Sequence, residues 1–289
     1  MFDEEMKMNI QITADSTIDI TQELKQKYDI KTIGLMITLG DKDYIDGVDI
    51  STNEIFEYIK KTKNLPKTGA VSVERYKEFF GKIANDDTAI IHFTISSEMS
   101  SCYNFAVQAS KEFKNVYVVD SRCLSTAIAL LAIKARRLAD SGKDAQEIFN
   151  TVQLLAKQDK PECSFILDNL KLLYKGGRCS AVQMFGANLL RLKVHIGVHN
   201  GKMGVDSKYR GKFEECVKTY MEDILKQYPD YDDHCCFITY TTASEAVLNN
   251  AIDTVKKLGN FQNIYLTTAG ATVASHCGEN TIGILYLQN

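Results

Sequence analysis

The chain has 289 residues, 45% hydrophobic and 25% charged, with a net charge of −3 at neutral pH. That length supplies a sizeable core and suggests two domains. The near balance of charge, with no basic arm or stripe, excludes a nucleic-acid footprint, and no apolar run approaches the roughly 20 residues that span a bilayer.

Along the chain the pattern alternates. "NIQITA" (Asn9–Ala14) reads as a buried strand, followed by a helix for which Asp19 is a plausible cap with Gln22 as its capping-box partner. Residues 31–47 read as a strand, a turn at Gly40-Asp41 and a short return. Asp43, Asp46 and Asp49 fail the EF-hand spacing and read as a solvated turn. Two helices carry Ile55, Tyr58 and Ile59, then Tyr76, Phe79, Phe80 and Ile83, on inward faces. The segment between them, "KNLPKTGAVS", reads as a loop. "TAIIHF" and "NVYVVD" are continuous apolar strands, each followed by a helix, the second of them long and apolar. Such strands separated by helices predict a parallel sheet covered on both faces.

A helix over 144–157 precedes a strand at "CSFIL", and "KVHIGVHNGKMGVDS" reads as two strands around an Asn200-Gly201 turn. A helix over 213–227, the strand "HCCFITY", the helix "SEAVLNNAIDTVKKLG" and the strands "NIYLTTAG" and "TIGILYL" complete a second α/β layer. The domain boundary is expected near residue 160, giving domains of 1–160 and 161–289. Eight scattered cysteines form no CxxC pair, and the acidic start lacks the pattern of a signal peptide. Free thiols in a reducing cytoplasm, and no metal site, are therefore expected.

"HFTISSEMSSCYN" packs hydroxyls where an apolar strand hands over to a helix. Ligands of open parallel sheets gather at the carboxyl ends of strands, where helix N-termini receive anions. Ser96, Ser97, Ser100 and Ser101 therefore read as helix caps or as an uncharged cradle for an anion. A serine nucleophile would need a base and the G-x-S-x-G elbow. No glycine flanks "TISSEMSS", and no feature pairs His276 with a particular carboxylate. Thr68 lies in "PKTGAVS", and "YKGGRCS" places Arg178 after two glycines, either as an unusual backbone path or as a helix end. Neither GxxxxGK[ST] nor GxGxxG after the first strand is present, so nucleotide hydrolysis and dinucleotide chemistry lack their parts. No cofactor is expected.

Taken together these pieces resemble the DegV family, bacterial fatty-acid-binding proteins that partner a fatty acid kinase. "ITADSTIDIT" is similar to that family's opening D-S-T stretch, "KTGAVS" to K-T-S-Q-P-S, and "ISSEMSSCYN" to S-S-x-L-S-G-T-Y. "VYVVDS" resembles V-x-V-x-D-S, "LKLLYKGGRCS" resembles L-x-x-L-x-K-G-G-R-I-S, and "SHCGENTIG" resembles T-H-x-G-P-G-x-x-G. "LLRLKVHIGVHNGKM" is similar to L-L-x-I-K-P-I-L followed by a D-G turn. The chain departs from the family at Gly69-Ala70-Val71, Ser101-Cys102, Val194 and Glu279-Asn280.

The resemblance implies a two-domain DegV-like α/β fold, mainly a parallel sheet in the N-terminal domain and a second α/β domain after it. It implies a binding subunit without catalysis of its own, holding a long-chain fatty acid of about 16–18 carbons. Burying each CH₂ gains about 0.8 kcal/mol, so the tail carries the affinity. By motif, the carboxylate falls to Thr68, to Ser97 or Ser100, and to His276, with Arg178 supporting near the head group or on the kinase-facing surface. The kinase phosphorylates the bound carboxyl, and the acyl phosphate passes to phospholipid synthesis. If His276 donates to the carboxylate, protonation should strengthen binding. Phe93, Met99, Ile128, Leu131, Phe165, Leu167 and Ile284 are candidates for the tail slot. The alternatives are a serine-dependent hydrolase or transferase through Ser97 or Ser100, and a sensor of another small carboxylate.

Overall fold

A computed structural model describes residues 8–185 and 192–289, with the backbone alone at 183 and 185. The acidic start and the Leu189-Leu190-Arg191 part of the motif before "KVHIG" lie outside the described residues. From the N-terminus, β1 (Asn9–Asp15) runs through a single 3₁₀ turn into α1 (Gln22–Lys27) and β2 (Ile30–Ile33). A hairpin of β3 (Met36–Leu39) and β4 (Lys42–Ile45) leads to α2 (Thr52–Thr62), which opens on a Ser51/Glu54 capping box and buries Ile55 and Phe56. Then come β5 (Lys67–Gly69), α3 (Val73–Gly81), β6 (Thr88–Thr94), α4 (Cys102–Ser110) and β7 (Val116–Asp120). α5 (Thr126–Asp140) and α6 (Ala145–Lys157) follow.

The second half contains β8 (Pro161–Leu167), α7 (Lys171–Gly176), α8 (Ser180–Phe185), β9 (Lys193–His199) and β10 (Lys202–Tyr209). It continues with α9 (Phe213–Gln227), β11 (Tyr231–Tyr240), α10 (Glu245–Leu258), β12 (Ile264–Thr268), α11 (Ala271–Cys277) and β13 (Thr281–Gln288).

The first sheet has the order β2-β1-β6-β7 and is parallel throughout, as the continuous apolar strands predict. The sheet of the second half has the order β10-β9-β8-β13-β11-β12, and only its β11–β12 pair is parallel. α5 packs against β1 and β6 of the first sheet and β8, β11 and β13 of the second. Its residues from Thr126 to Ile133 are all buried, as befits a helix apolar on every side. One apolar core thereby runs from Ile12 and Phe93 to Phe165 and Phe237. A separate cluster around Tyr220 and Ile284 fills the other face of the six-stranded sheet.

Three local expectations fail for physical reasons. Asp19 does not cap α1. Thr21 does, accepting the Leu24 N–H at 3.3 Å, while Asp19 is buried in a left-handed conformation (φ 52°). Only Asp49 belongs to a solvated turn: Asp43 is exposed but lies in β4 opposite Thr38, and Asp46 is 2% exposed and accepts the Ser16 hydroxyl at 2.8 Å. The expected loop around Thr68 holds β5, which pairs with β3 so that Thr68 lies opposite Ile37. Three residues are too few to show a strand period. All eight cysteines are buried and free.

Candidate functional site

A cavity of about 400 Å³ opens where β5, the loop after β6, α7 and α11 converge. Each wall is fixed by a contact distant in sequence. Asp15, at the carboxyl end of β1, is buried and accepts the Tyr76 hydroxyl at 2.6 Å and the Ile95 N–H at 3.2 Å, anchoring the serine loop at its start. α11 is seated by two carboxylates. Gly270 N–H donates to Asp19 at 2.9 Å and Ala271 N–H to Asp46 at 3.0 Å, so side-chain oxygens take up the free N–H groups at the start of the helix. Burial pushes the Asp19 carboxyl up to about 8, against the opposing hydrogen bonds from Ser125 and Gly270.

At the rim, Thr68 Oγ1 and His276 Nε2 stand 2.8 Å apart, bringing together two residues 208 positions apart in sequence. Burial, reinforced by the charge of Arg178, pushes the imidazole down to about 4. The ring is therefore neutral at physiological pH in the ligand-free protein. Its Nδ1 faces Gly176, where a Cβ would lie 2.6 Å away, and has no hydrogen-bond partner among the described residues. That close approach accounts for the first glycine of "KGGR". The second, Gly177, takes the left-handed conformation (φ 70°) that ends α7. Arg178 then folds back, donating from Nη1 to the Gly176 carbonyl at 2.8 Å, and lines the cavity with an exposed side chain.

The four serines divide by partner. Ser96 is fully buried outside the cavity lining and donates to the Gly201 carbonyl at 2.7 Å, tying the loop to the β9–β10 turn. Ser97 lines the cavity, but its hydroxyl donates to Asp120 at 2.5 Å and its N–H to the same carboxylate at 3.1 Å. Ser100 also lines the cavity and spends its proton on the Cys102 sulfur at 3.2 Å, a weak acceptor. Ser101 is the N-cap of α4 without a side-chain cap bond, but Ser100 Oγ accepts the N–H of Cys102, the first residue of α4, at 3.3 Å, so part of the serine run does cap the helix. Neither Ser97 nor Ser100 bonds a histidine among the described residues, and no group of three or more His, Cys, Asp or Glu there is arranged for a metal.

One stretch of the wall is apolar. Leu124, Val273 and Cys277 separate the cavity from a slot of about 30 Å³ that reaches Phe165 and Leu285. Of the tail candidates, Met99 lines the cavity and Phe165 the slot. Phe93, Ile128, Leu131 and Leu167 belong to the shared core instead, and Ile284 to the cluster on the other face of the six-stranded sheet. Sequence reasoning missed Leu124, Thr272, Val273 and Cys277. Three of these lie on α11, whose seven residues are buried apart from His276 and so carry no amphipathic stripe.

Comparison with known proteins agrees with this architecture. Residues 9–289 match the family model described as "Uncharacterised protein, DegV family". A relative from Thermotoga maritima, named a fatty acid-binding protein, is 30% identical over 281 residues, covering 96% of each chain. A DegV family protein from Thermus thermophilus, described by its fatty acid binding, superposes with a TM-score of 0.89 at 22% identity, over 98% of this chain and all of that one. A structure from Thermotoga maritima, described as revealing fatty acid binding function, gives a TM-score of 0.84 at 27% identity, over 98% of this chain and all of that one. The match spans both sheets and every wall of the cavity, and the chain belongs to the DegV family.

Proposed function

We propose that this chain binds one long-chain fatty acid, of about 16–18 carbons, with its carboxylate at the Thr68–His276 pair and its tail running through the cavity past Leu124, Val273 and Cys277 toward the slot. The observation that carries the reading is the Thr68–His276 pair lining one cavity together with the apolar side chains of Met99, Leu124, Leu173 and Val273. A tail of about 15 carbons contributes roughly 12 kcal/mol before the costs of ordering it, so the head group needs only uncharged donors. The tautomer follows from the surroundings of the ring. A proton on Nδ1 would leave an unpaired buried N–H against Gly176, a costlier orphan than an unpaired acceptor. With the proton on Nε2, His276 donates to Thr68, and the Thr68 hydroxyl is free to donate to the ligand.

Ser100 is the better second donor, because turning its proton from a thiol to a carboxylate gains a stronger hydrogen bond, whereas Ser97 would have to abandon Asp120. Arg178, exposed beside the rim, supports the head group and marks the face on which a fatty acid kinase would reach it. In this reading the chain is a carrier in the cytoplasm. It performs no catalysis and presents the carboxyl for phosphorylation on the way to phospholipid synthesis. The division near residue 160 belongs to the same proposal. Native mass spectrometry of the purified protein is the test: it should carry the added mass of an acyl chain of about 16–18 carbons. A short carboxylate in its place, or repeated failure to load hexadecanoate, would overturn the reading.

A further inference from the structure

A groove of about 380 Å³ lies between α7, the end of α2 and the turn after α11. Leu173 lines the cavity and Leu172 the groove, so the two recesses share one short helix as a wall. The apolar lining of the groove is recessed: Phe56 is buried, and Ile59, Leu65 and Leu172 are half-buried. Its four lysines are all exposed, Lys60 and Lys63 from the end of α2, Lys171 and Lys175 from α7. None of the four has a carboxylate partner among the described residues; Lys63 reaches only the Lys60 carbonyl, at 2.8 Å. Two carboxylates also line the groove, but Asp168 is paired with Lys193, which leaves Glu279 against four cations. In a chain whose net charge is −3, this is a concentrated positive field over an apolar recess.

We propose that this groove docks an acidic segment of a partner protein, one in which carboxylates a helical turn apart flank a protruding apolar side chain. The inference goes beyond the fatty-acid reading and stands without it. The placement of the charges selects a segment rather than a phosphate. Lys171 and Lys175 are one turn apart on α7, about 6 Å along its axis, and Lys60 and Lys63 approach from a different helix. Charges spread in that way match a row of carboxylates. A phosphate site gathers arginine forks or free N–H groups on one point; no arginine lines this groove, and Asn169 Oδ1 already takes the Lys171 N–H at 2.8 Å. The recess selects a protruding group rather than a membrane. A bilayer receives apolar side chains that project from the protein, whereas those of the groove are less exposed than the lysines around them. A partner seated there touches α7 beside Leu173, one helix away from the cavity.

The test is fluorescence anisotropy on the full chain with a panel of labelled helical peptides in which Glu residues one turn apart flank Leu or Phe. The wild type should bind members of the panel, with an affinity that falls as salt rises. Peptides with Ser in place of Leu and Phe should bind about tenfold more weakly. Lys171→Glu/Lys175→Glu and Lys60→Glu/Lys63→Glu should each lose about tenfold. Lys218→Glu/Lys256→Glu, the same charge change at exposed positions of α9 and α10, should lose less than about twofold. Melting temperature and hexadecanoate affinity should stay in place in all three. Equal losses in the three variants would show attraction to net charge alone and overturn the inference, as would a wild type that binds no peptide of the panel. Phosphatidylglycerol vesicles or ATP, bound through the same lysines while the panel is ignored, would overturn it too. Should a charge-reversed variant fail to fold, Lys171→Gln/Lys175→Gln and the Ser-substituted peptides decide, and undiminished binding in both overturns the inference. A wild type that fails to bind hexadecanoate bears on the proposed function alone.

Discussion

Gly176→Ala adds one methyl group against the edge of His276 and touches nothing that a ligand would contact. Gly176 ends α7 without a positive φ, so alanine suits the backbone there and by propensity alone favours the helix by up to about 1 kcal/mol. The new Cβ, however, would stand 2.6 Å from Nδ1, where ordinary contact begins near 3.4 Å. Relief requires the imidazole to retreat by about 0.8 Å, and because Nδ1 and Nε2 lie on opposite sides of the ring the retreat drives Nε2 against Thr68 Oγ1, already 2.8 Å away, so the ring must tilt out of hydrogen-bonding alignment. The lost bond is worth about 1 kcal/mol, and Thr68 turns its own proton toward the ring or the solvent. Fatty-acid affinity, read by displacement of a fluorescent acyl probe, should fall about five- to tenfold. The melting temperature should shift little, because overpacking and improved helix propensity oppose one another. Gly177→Ala is the control: it strains a left-handed position (φ 70°) and should lower stability more than affinity. Wild-type affinity in Gly176→Ala, with the His276 Nε2 resonance unmoved, would refute the proposed role of the ring in orienting Thr68.

Ser100→Ala should weaken hexadecanoate binding about fivefold with an unchanged melting temperature, whereas Ser97→Ala strands part of the Asp120 carboxylate and should lower the urea midpoint; equal and purely binding-related losses in both would contradict the division of labour between them. Stability should also depend on pH through Asp19. Its folded carboxyl, raised to about 8 by burial, holds a proton that the unfolded chain releases near 3.8, so that contribution is complete at low pH and is lost as pH rises through 8. Glu162, raised to about 7 by burial, acts with the same sign. Urea midpoints should therefore fall between pH 7 and pH 8.5, and Asp19→Asn should flatten the decline; a midpoint that rises over this window would rule out the buried, protonated carboxyl.

The sequence is legible where a local period or a local turn decides structure. The parallel strands around Ile12, Ile91 and Val118, the Asn200-Gly201 turn, both of whose residues have positive φ, and the helix from Phe213 to Gln227 follow from pattern and turn chemistry. Thr68 and His276 were identified by family resemblance, and the fold brings them into contact. What could not be read is pairing at a distance. Nothing near Asp19 announces that its partner is Gly270, 251 residues later, so a buried anchor resembled a helix cap. Ser97 and Ser100 look alike in the chain; only Asp120, 23 residues on, takes the proton of one and leaves the other. α11 was missed because its buried Ala-Thr-Val-Ala-Ser run contrasts with nothing, and with it went the Thr272, Val273 and Cys277 part of the cavity wall.

The position of α5 bears on how anything enters and leaves the cavity. Prising the two sheets apart would bare a helix that is greasy on all sides, a penalty that grows with every square ångström wetted. The halves should therefore melt in one cooperative step. Traffic would then pass through brief loosening of the short, half-exposed α7, while the large body of the molecule stays shut.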